Sequence, residues 1–271
     1  MMRDVTLGQY FPAKSVLHSM DPRAKILSLI AYIVLIFCTF NYFALLLTAL
    51  SVICIVLLSA VPFRMYLKSL KVIIIVIVIT SLLNLFYGSG EPIVQFWIFK
   101  ITWQGINNAV FVCVRIISLI MVSSVLTFTT SPTDLTDALE RLLKPLTVFH
   151  IKVHEIAMMM TIALRFVPTL LEETDKIMSA QKARGADMES GSLSKRVKAL
   201  IPVLVPLFVS AFRRAYDLAV AMECRCYQGG NGRTRMKQLH IQKSDIFCMS
   251  FVLLIIIGVV LCNVFLPTVP R

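Results

Sequence analysis

Acidic residues are scarce in this chain. Asp and Glu supply 15 of its 271 residues against 27 Lys and Arg, no carboxylate lies between Asp21 and Glu91, and residues 26–61 carry no charge at all. With 58% hydrophobic residues, 15% charged and a mean hydropathy of +0.81, the composition excludes a soluble domain of this length and indicates an integral membrane protein. A G-x-x-x-x-G-K-[ST] phosphate loop is missing, so any ATP chemistry must reside in partners. The polar N-terminus MMRDVTLGQYFPAKSVLHSMDPRAK lacks the apolar core of a cleavable signal peptide, and none is expected. No nucleic-acid recognition motif accompanies the net charge of +12, and the basic residues cluster beside apolar spans, as membrane topology demands. Seven cysteines, at 38, 54, 113, 224, 226, 248 and 262, are an odd number set mostly in apolar runs; they read as small buried side chains rather than a disulfide framework.

What is present divides into spans and a polar insertion. Residues 1–25 form a lead-in with four basic residues, in which Asp21 caps a helix with Pro22 in its first turn. The uncharged run from Ile26 to Val61 is about twice one crossing at 1.5 Å rise per residue, so it predicts two helices joined near Asn41. A third span runs from Leu70 to Tyr87; its β-branched VIIIVIVIT suits a strand in a soluble protein, but in lipid an open strand edge cannot be satisfied and a helix is expected. GSGEPIVQFWIFKITWQG reads as an outer loop carrying both tryptophans at the interface. A fourth span covers Gln104 to Phe128 and holds Arg115, a functional candidate by its depth, or else a side chain that snorkels or bonds hydroxyls and carbonyls. The last span runs from Asp245 to Leu266.

Lysine and arginine number seven in the lead-in and the 62–71 loop, one (Lys100) in the outer loop and seventeen between 131 and 243, which predicts a cytoplasmic N-terminus. The expected fold class is an all-α integral membrane protein with about five transmembrane helices plus three cytoplasmic or interfacial coupling helices, two of them long. The expected divisions are the lead-in 1–25, a four-helix membrane region 26–130, a coupling-helix region 131–243, and a final helix with a short outer tail over 244–271.

Within the insertion, SPTDLTDALERLLKPL predicts a short amphipathic helix with Ser131 as cap, Pro132 in its first turn and Pro145 as its stop. Two long helical patterns cover 152–187, containing Pro168, and 193–228, with Pro202 and Pro206 near its start; Gly191 and a serine sit in the linker. The stretches IAMMMTIALRFV and ALIPVLVPLFVSAF are too apolar to stand free in water. Met158, Met159 and Met160 suit a surface that repacks against different partners, and equally suit ordinary core filling.

The two long patterns end alike. AQKARGAD places Arg184 between Ala183 and Gly185, and AMECRCYQGG places Arg225 between Cys224 and Cys226. A cation is favoured at a helix C-terminus, small neighbours let a partner approach, and the guanidinium fork can then engage a carboxylate. A lone arginine at a helix end is usually solvated, and the repetition is what points to docking. The two lie 41 residues apart, too far to share one pocket, so they call for two separate receptors or two subunits of one dimer.

The lead-in GQYFPAKSVLHSMDPRAK, the segment LRFVPTLLEETDKIMSAQKARGAD, and the second arginine ahead of Tyr227, Gly229 and Gly230 together resemble the transmembrane T component of energy-coupling factor transporters, the ABC-type importers of vitamins and metals. The resemblance implies that the two arginine motifs enter grooves on two ABC ATPase subunits and that the long helices cradle a substrate-binding membrane S component. It implies no cofactor and a multi-pass position in the cell membrane. Cysteines stand at 224 and 226 where the family pattern has alanine and glycine; both are small, so docking is retained in this reading.

Two other classes remain. A metal-dependent intramembrane enzyme would use His150 and His154, spaced i, i+4 beside Glu155, but the order is not H-E-x-x-H and a third ligand is not evident. Cys224-x-Cys226 likewise lacks a second ligand pair. A stand-alone secondary transporter would place broken helices and polar groups at mid-membrane, whereas these spans are nearly charge-free.

Overall fold

The computed structural model of the chain describes residues 10–86, 92–96, 99–186, 192–230, 240 and 242–265. It contains two compact units: Gly8–Leu135 with Gln238–Arg271, and Thr136–Lys237 with Met1–Leu7. The all-α class is borne out, with the addition of one short β-hairpin.

In the first unit, a single turn α1 (Val16–Ser19) leads into α2 (Pro22–Phe37), then α3 (Tyr42–Leu58), α4 (Phe63–Phe86), a hairpin of β1 (Pro92–Phe96) and β2 (Phe99–Thr102), α5 (Trp103–Thr129) and, after the second unit, α9 (Lys243–Phe265). Asp21 caps α2 as its sequence predicts, accepting the Arg23 amide at 2.9 Å, with Pro22 in the first turn. The uncharged run does break into two helices, with the turn at residues 38–41. VIIIVIVIT lies inside α4, where the helix satisfies its own backbone and overrides the β-branched preference.

Hydrogen bonds at both ends of the bundle fix the helix directions. At one end, the fully buried Asp245 of α9 accepts the Asp21 amide (2.8 Å) and the Gln242 amide (2.7 Å), and the Lys25 ammonium donates to the Thr129 carbonyl (2.9 Å), one of the orphan acceptors at the end of α5. At the other end, Asn41 donates to the Cys262 carbonyl (2.9 Å) and Asn263 to the Cys38 carbonyl (2.6 Å). Helices α2 and α9 therefore run parallel, and α5 runs against both. The core between them is built from Tyr32, Ile36, Ala44, Val52, Phe128 and Val259, and Tyr66 stands edge-on to Phe128 at 5.2 Å with its hydroxyl 2.8 Å from Ser59.

Gly105 shows why α4 and α5 lie so close. A Cβ there would come within 2.8 Å of the Leu85 carbonyl oxygen. The segment expected as a plain outer loop instead forms the two-stranded antiparallel hairpin, with Gln95 opposite Lys100 and Phe96 opposite Phe99. The alternation in IVQF and FKIT is a strand pattern, masked in the sequence by the glycine, proline and tryptophan that flank it. Trp97, one half of the expected aromatic belt, lies outside the described residues, and Trp103 opens α5 with its side chain exposed.

Among the described residues, four helices are long and apolar enough to cross a membrane: α4, α5, α9 and Val153–Ala183 of the second unit; Tyr42–Leu58 is a shorter apolar helix. At 16 and 17 residues, α2 and α3 reach about 24 and 26 Å, short of a typical hydrocarbon core. Arg115 takes the carbonyl-bonding alternative expected for it. Its guanidinium donates to the Thr39 carbonyl at 3.0 Å and stands 6.0 Å from the Phe37 ring centroid.

Candidate arginine docking ends

The second unit takes up α6 (Pro132–Leu143) from Thr136 onward, a 3-10 turn over Lys144–Phe149, α7 (Val153–Ala183) and α8 (Leu193–Glu223). Ser131 caps α6: its hydroxyl accepts the Asp134 amide at 3.1 Å and donates to the Asp134 carboxylate at 2.7 Å. Pro145 does not end the chain's helical course abruptly but sits in the 3-10 turn, which His150 closes at φ +62°. Helix α7 runs through Pro168 without a break, and α8 runs through Pro202 and Pro206. Ser192 occupies the cap position of α8 without a side-chain capping bond, and Gly191 lies outside the described residues.

Helices α7 and α8 are antiparallel. Arg214 of α8 pairs with Glu173 of α7 at 3.0 Å, while Tyr227, just past α8, reaches His154 in the first turn of α7 at 3.5 Å. Arg184 and Arg225 consequently mark opposite ends of the pair. The Glu173–Arg214 pair and the Tyr227–His154 contact together put the two arginines about 35–45 Å apart along the pair at 1.5 Å per residue.

Each arginine sits in the same local structure. At the end of α7, the Ala186 amide donates to the Gln181 carbonyl (3.0 Å) and the Gly185 amide to the Lys182 carbonyl (3.0 Å), with Gly185 at φ +85°: a Schellman motif with Arg184 as the capping residue. At the end of α8, the Tyr227 amide donates to the Met222 carbonyl (3.1 Å) and the Cys226 amide to the Glu223 carbonyl (2.8 Å), with Cys226 at φ +53°. The two Schellman bonds are the same, with Arg225 in the place of Arg184, but the Arg184 amide also reaches Ala180 at i−4 whereas the Arg225 amide bonds Met222 at i−3. Ala183, Arg184, Gly185, Cys224, Arg225 and Cys226 are all exposed. A Cβ on Gly185 would meet nothing within 4 Å, so the approach to this end is open within the described residues.

Sequence alone explains the residue after each arginine by small size. The structure gives it a backbone role, because position 185 or 226 must take a left-handed conformation to reverse the chain behind the arginine. Cys226 does so at a steric cost that glycine avoids.

Helix α8 leaves an apolar stripe uncovered. Val197, Ile201, Val205, Phe208, Phe212 and Tyr216 recur three to four residues apart and are all exposed. On α7, Met159 and Met160 are exposed and Met158 is half-buried, so the methionine run is not core filling within this unit. His150 and His154 take separate roles. His150 turns the chain, and His154 bonds Glu140 of α6 through Nδ1 at 2.9 Å. Sequence spacing offers His154 as a weak metal ligand or, better, as one of a helix-surface pair, and signals neither Glu140 nor Tyr227 and Gly230 as its partners.

Comparison with known proteins places the whole chain. The family described as CbiQ, cobalt transport protein, matches residues 13–237. The energy-coupling factor transporter transmembrane protein EcfT of Ruminiclostridium cellulolyticum is 48% identical over 261 residues, covering 96% of this chain and 98% of the relative. The protein of the same name from Thermosediminibacter oceani is 49% identical over 245 residues (90% and 92%), and that of Bacillus subtilis 45% identical over 240 residues (88% and 91%). The matches span nearly the whole chain, and the chain belongs to the EcfT family of energy-coupling factor transporter transmembrane proteins.

Proposed function

We propose that this chain couples two ABC ATPase subunits to a substrate-binding S component in an importer for a vitamin or another micronutrient, with no catalytic residue of its own. The observation that carries the reading is the pair of like helix ends. Two exposed arginines, each inside a Schellman turn and about 35–45 Å apart, fit two like receptors and no single pocket. Grooves on ATPase subunits that move on ATP binding would carry both helix ends with them, and a lever of this kind works if the grip on the arginines differs in energy between the ATP-bound and free states. Met158, Met159, Met160 and the uncovered stripe of α8 supply an apolar surface for the S component.

In this reading the chain lies in the cell membrane with its N-terminus and α6–α8 on the cytoplasmic side and α2, α3, α4, α5 and α9 crossing. Lead-in, membrane region, coupling region and last helix divide at 1–25, 26–130, 131–243 and 244–271. The parallel course of α2 and α9, with α5 opposed, agrees with such a topology. Although α7 is apolar enough to span by composition, its mean window hydropathy of 1.3 is the lowest of the four candidate helices, and its charged C-terminal half suits an aqueous face.

The test is copurification and uptake. Arg184→Ala and Arg225→Ala should each weaken association with the ATPase pair, and the double variant should abolish ATP-driven uptake while the chain still reaches the membrane. Full assembly and uptake in the double variant would refute the proposal.

A further inference from the structure

The end of α8 is held by contacts that the docking reading leaves unused. His154, in the first turn of α7, bonds the Glu140 carboxylate of α6 through Nδ1 at 2.9 Å and has the Tyr227 hydroxyl 3.5 Å from Nε2. A carboxylate oxygen accepts, so Nδ1 carries the hydrogen and its orientation is set by Glu140. Gly230 lies flat against the same ring: a Cβ there would fall 2.6 Å from Cγ and 2.9 Å from Nε2, inside any permitted contact. Tyr227 and Gly230 flank Gly229, whose φ of +92° bends the chain between them. One imidazole thus meets α6 and both arms of the bend that begins two residues after Arg225.

We infer that His154 is a positioning residue for Arg225: clamped by Glu140 and gripped between Tyr227 and Gly230, its ring holds the turn that carries the second arginine in place against α7 and α6. Three facts converge on this. The Schellman turn sets the backbone only as far as Tyr227, and the residues beyond it must be anchored by something outside α8. Cys224, Arg225 and Cys226 are exposed, so their own packing does not hold the turn in place. The ring is also close enough to Gly230 that the two residues are sterically locked to each other, so the glycine is required by the histidine rather than by its own backbone. The consequence is an arginine presented in a single orientation before its receptor arrives, which lowers the ordering cost of docking.

The inference rests on the reading of Arg225 as an ATPase anchor, and the experiment separates the two. ATPase affinity is measured for the full-length chain in membranes, in two backgrounds. With Arg184→Ala, where the Arg225 end alone remains intact, adding His154→Ala or Gly230→Ala should lower affinity about tenfold, the scale of losing a charge-assisted hydrogen bond and its packing. With Arg225→Ala, the same changes should leave affinity unaltered. Equal losses in both backgrounds would show a general structural defect and overturn the inference, as would no loss in either. Retention of full affinity by Arg184→Ala/Arg225→Ala would instead overturn the docking reading itself.

A second measurement needs no ATPase. Nitroxide labels are placed at Cys224 and at an Arg165→Cys substitution, with the other cysteines replaced. The parent should give one narrow distance, and His154→Ala or Gly230→Ala a broad one. The double change should be no worse than His154→Ala alone, because the added methyl then enters the space the ring has left. Additive broadening, or an unchanged distribution in Gly230→Ala, would rule out the lock.

Discussion

Gly185 and Cys226 occupy one and the same backbone position at the two ends of the α7–α8 pair, each one residue past an arginine, each in the left-handed region (φ +85° and +53°), and each donating its amide to the carbonyl three residues back. Glycine enters that conformation freely, whereas a residue with a Cβ does so at a cost of about 1 kcal/mol. Replacing Cys226 with Gly should therefore stabilise the protein by about 1 kcal/mol, whereas Gly185→Ala should destabilise it by a similar amount. Because nothing lies within 4 Å of a Cβ at position 185, that second change reads backbone strain alone. Thermal unfolding in detergent checks both, and a stabilising Gly185→Ala would contradict the assignment.

Asp245 ties the start of α9 to the start of α2 while wholly buried, accepting two backbone amides. Asp245→Ala leaves both amides without an acceptor, at roughly 1–3 kcal/mol each. The expected result is a chain that melts several degrees lower and is lost readily from membranes. An unchanged melting temperature would mean that water replaces the carboxylate.

Arg115 bonds the Thr39 carbonyl and lies over Phe37, contacts that close the turn between α2 and α3. Arg115→Leu should lower stability by about 1–2 kcal/mol and preserve uptake per molecule of protein. Loss of uptake at normal protein levels would instead assign Arg115 to the transport cycle.

The Glu173–Arg214 pair fixes the register of α7 against α8. Its side chains are partly exposed and solvent screens the pair, so each single reversal of charge should lower the melting temperature only slightly, and exchanging both charges should recover most of the loss. A double-mutant cycle on thermal unfolding measures the coupling directly. No coupling would show that the register is set by the apolar contacts alone.

Much of this architecture is legible in the chain because lipid leaves few choices. A charge-free run of the length of Ile26–Val61 has to be two helices, and Asp21-Pro22 announces where the first begins. The arginine ends are legible because they are repeated. What composition hides is anything fixed by contacts distant in sequence. Asp245 lies 224 residues from the Asp21 amide it accepts, and neither residue signals the other. His154 is misleading for the same reason, since its neighbour at i−4 is conspicuous in the sequence while Glu140, Tyr227 and Gly230 are not. The β1–β2 hairpin is concealed by the flanking glycine, proline and tryptophan residues that usually mark loops.

An antiparallel pair of equally long helices has an approximate dyad at right angles to its axis, and here each C-terminus ends in the same turn with the same cation. Rotation by half a turn brings Arg184 onto Arg225. In the proposed docking, each half of an ATPase pair would meet one copy of the same turn and cation. The two ends differ in what surrounds each arginine: glycine behind one, and cysteine, histidine and a second glycine behind the other.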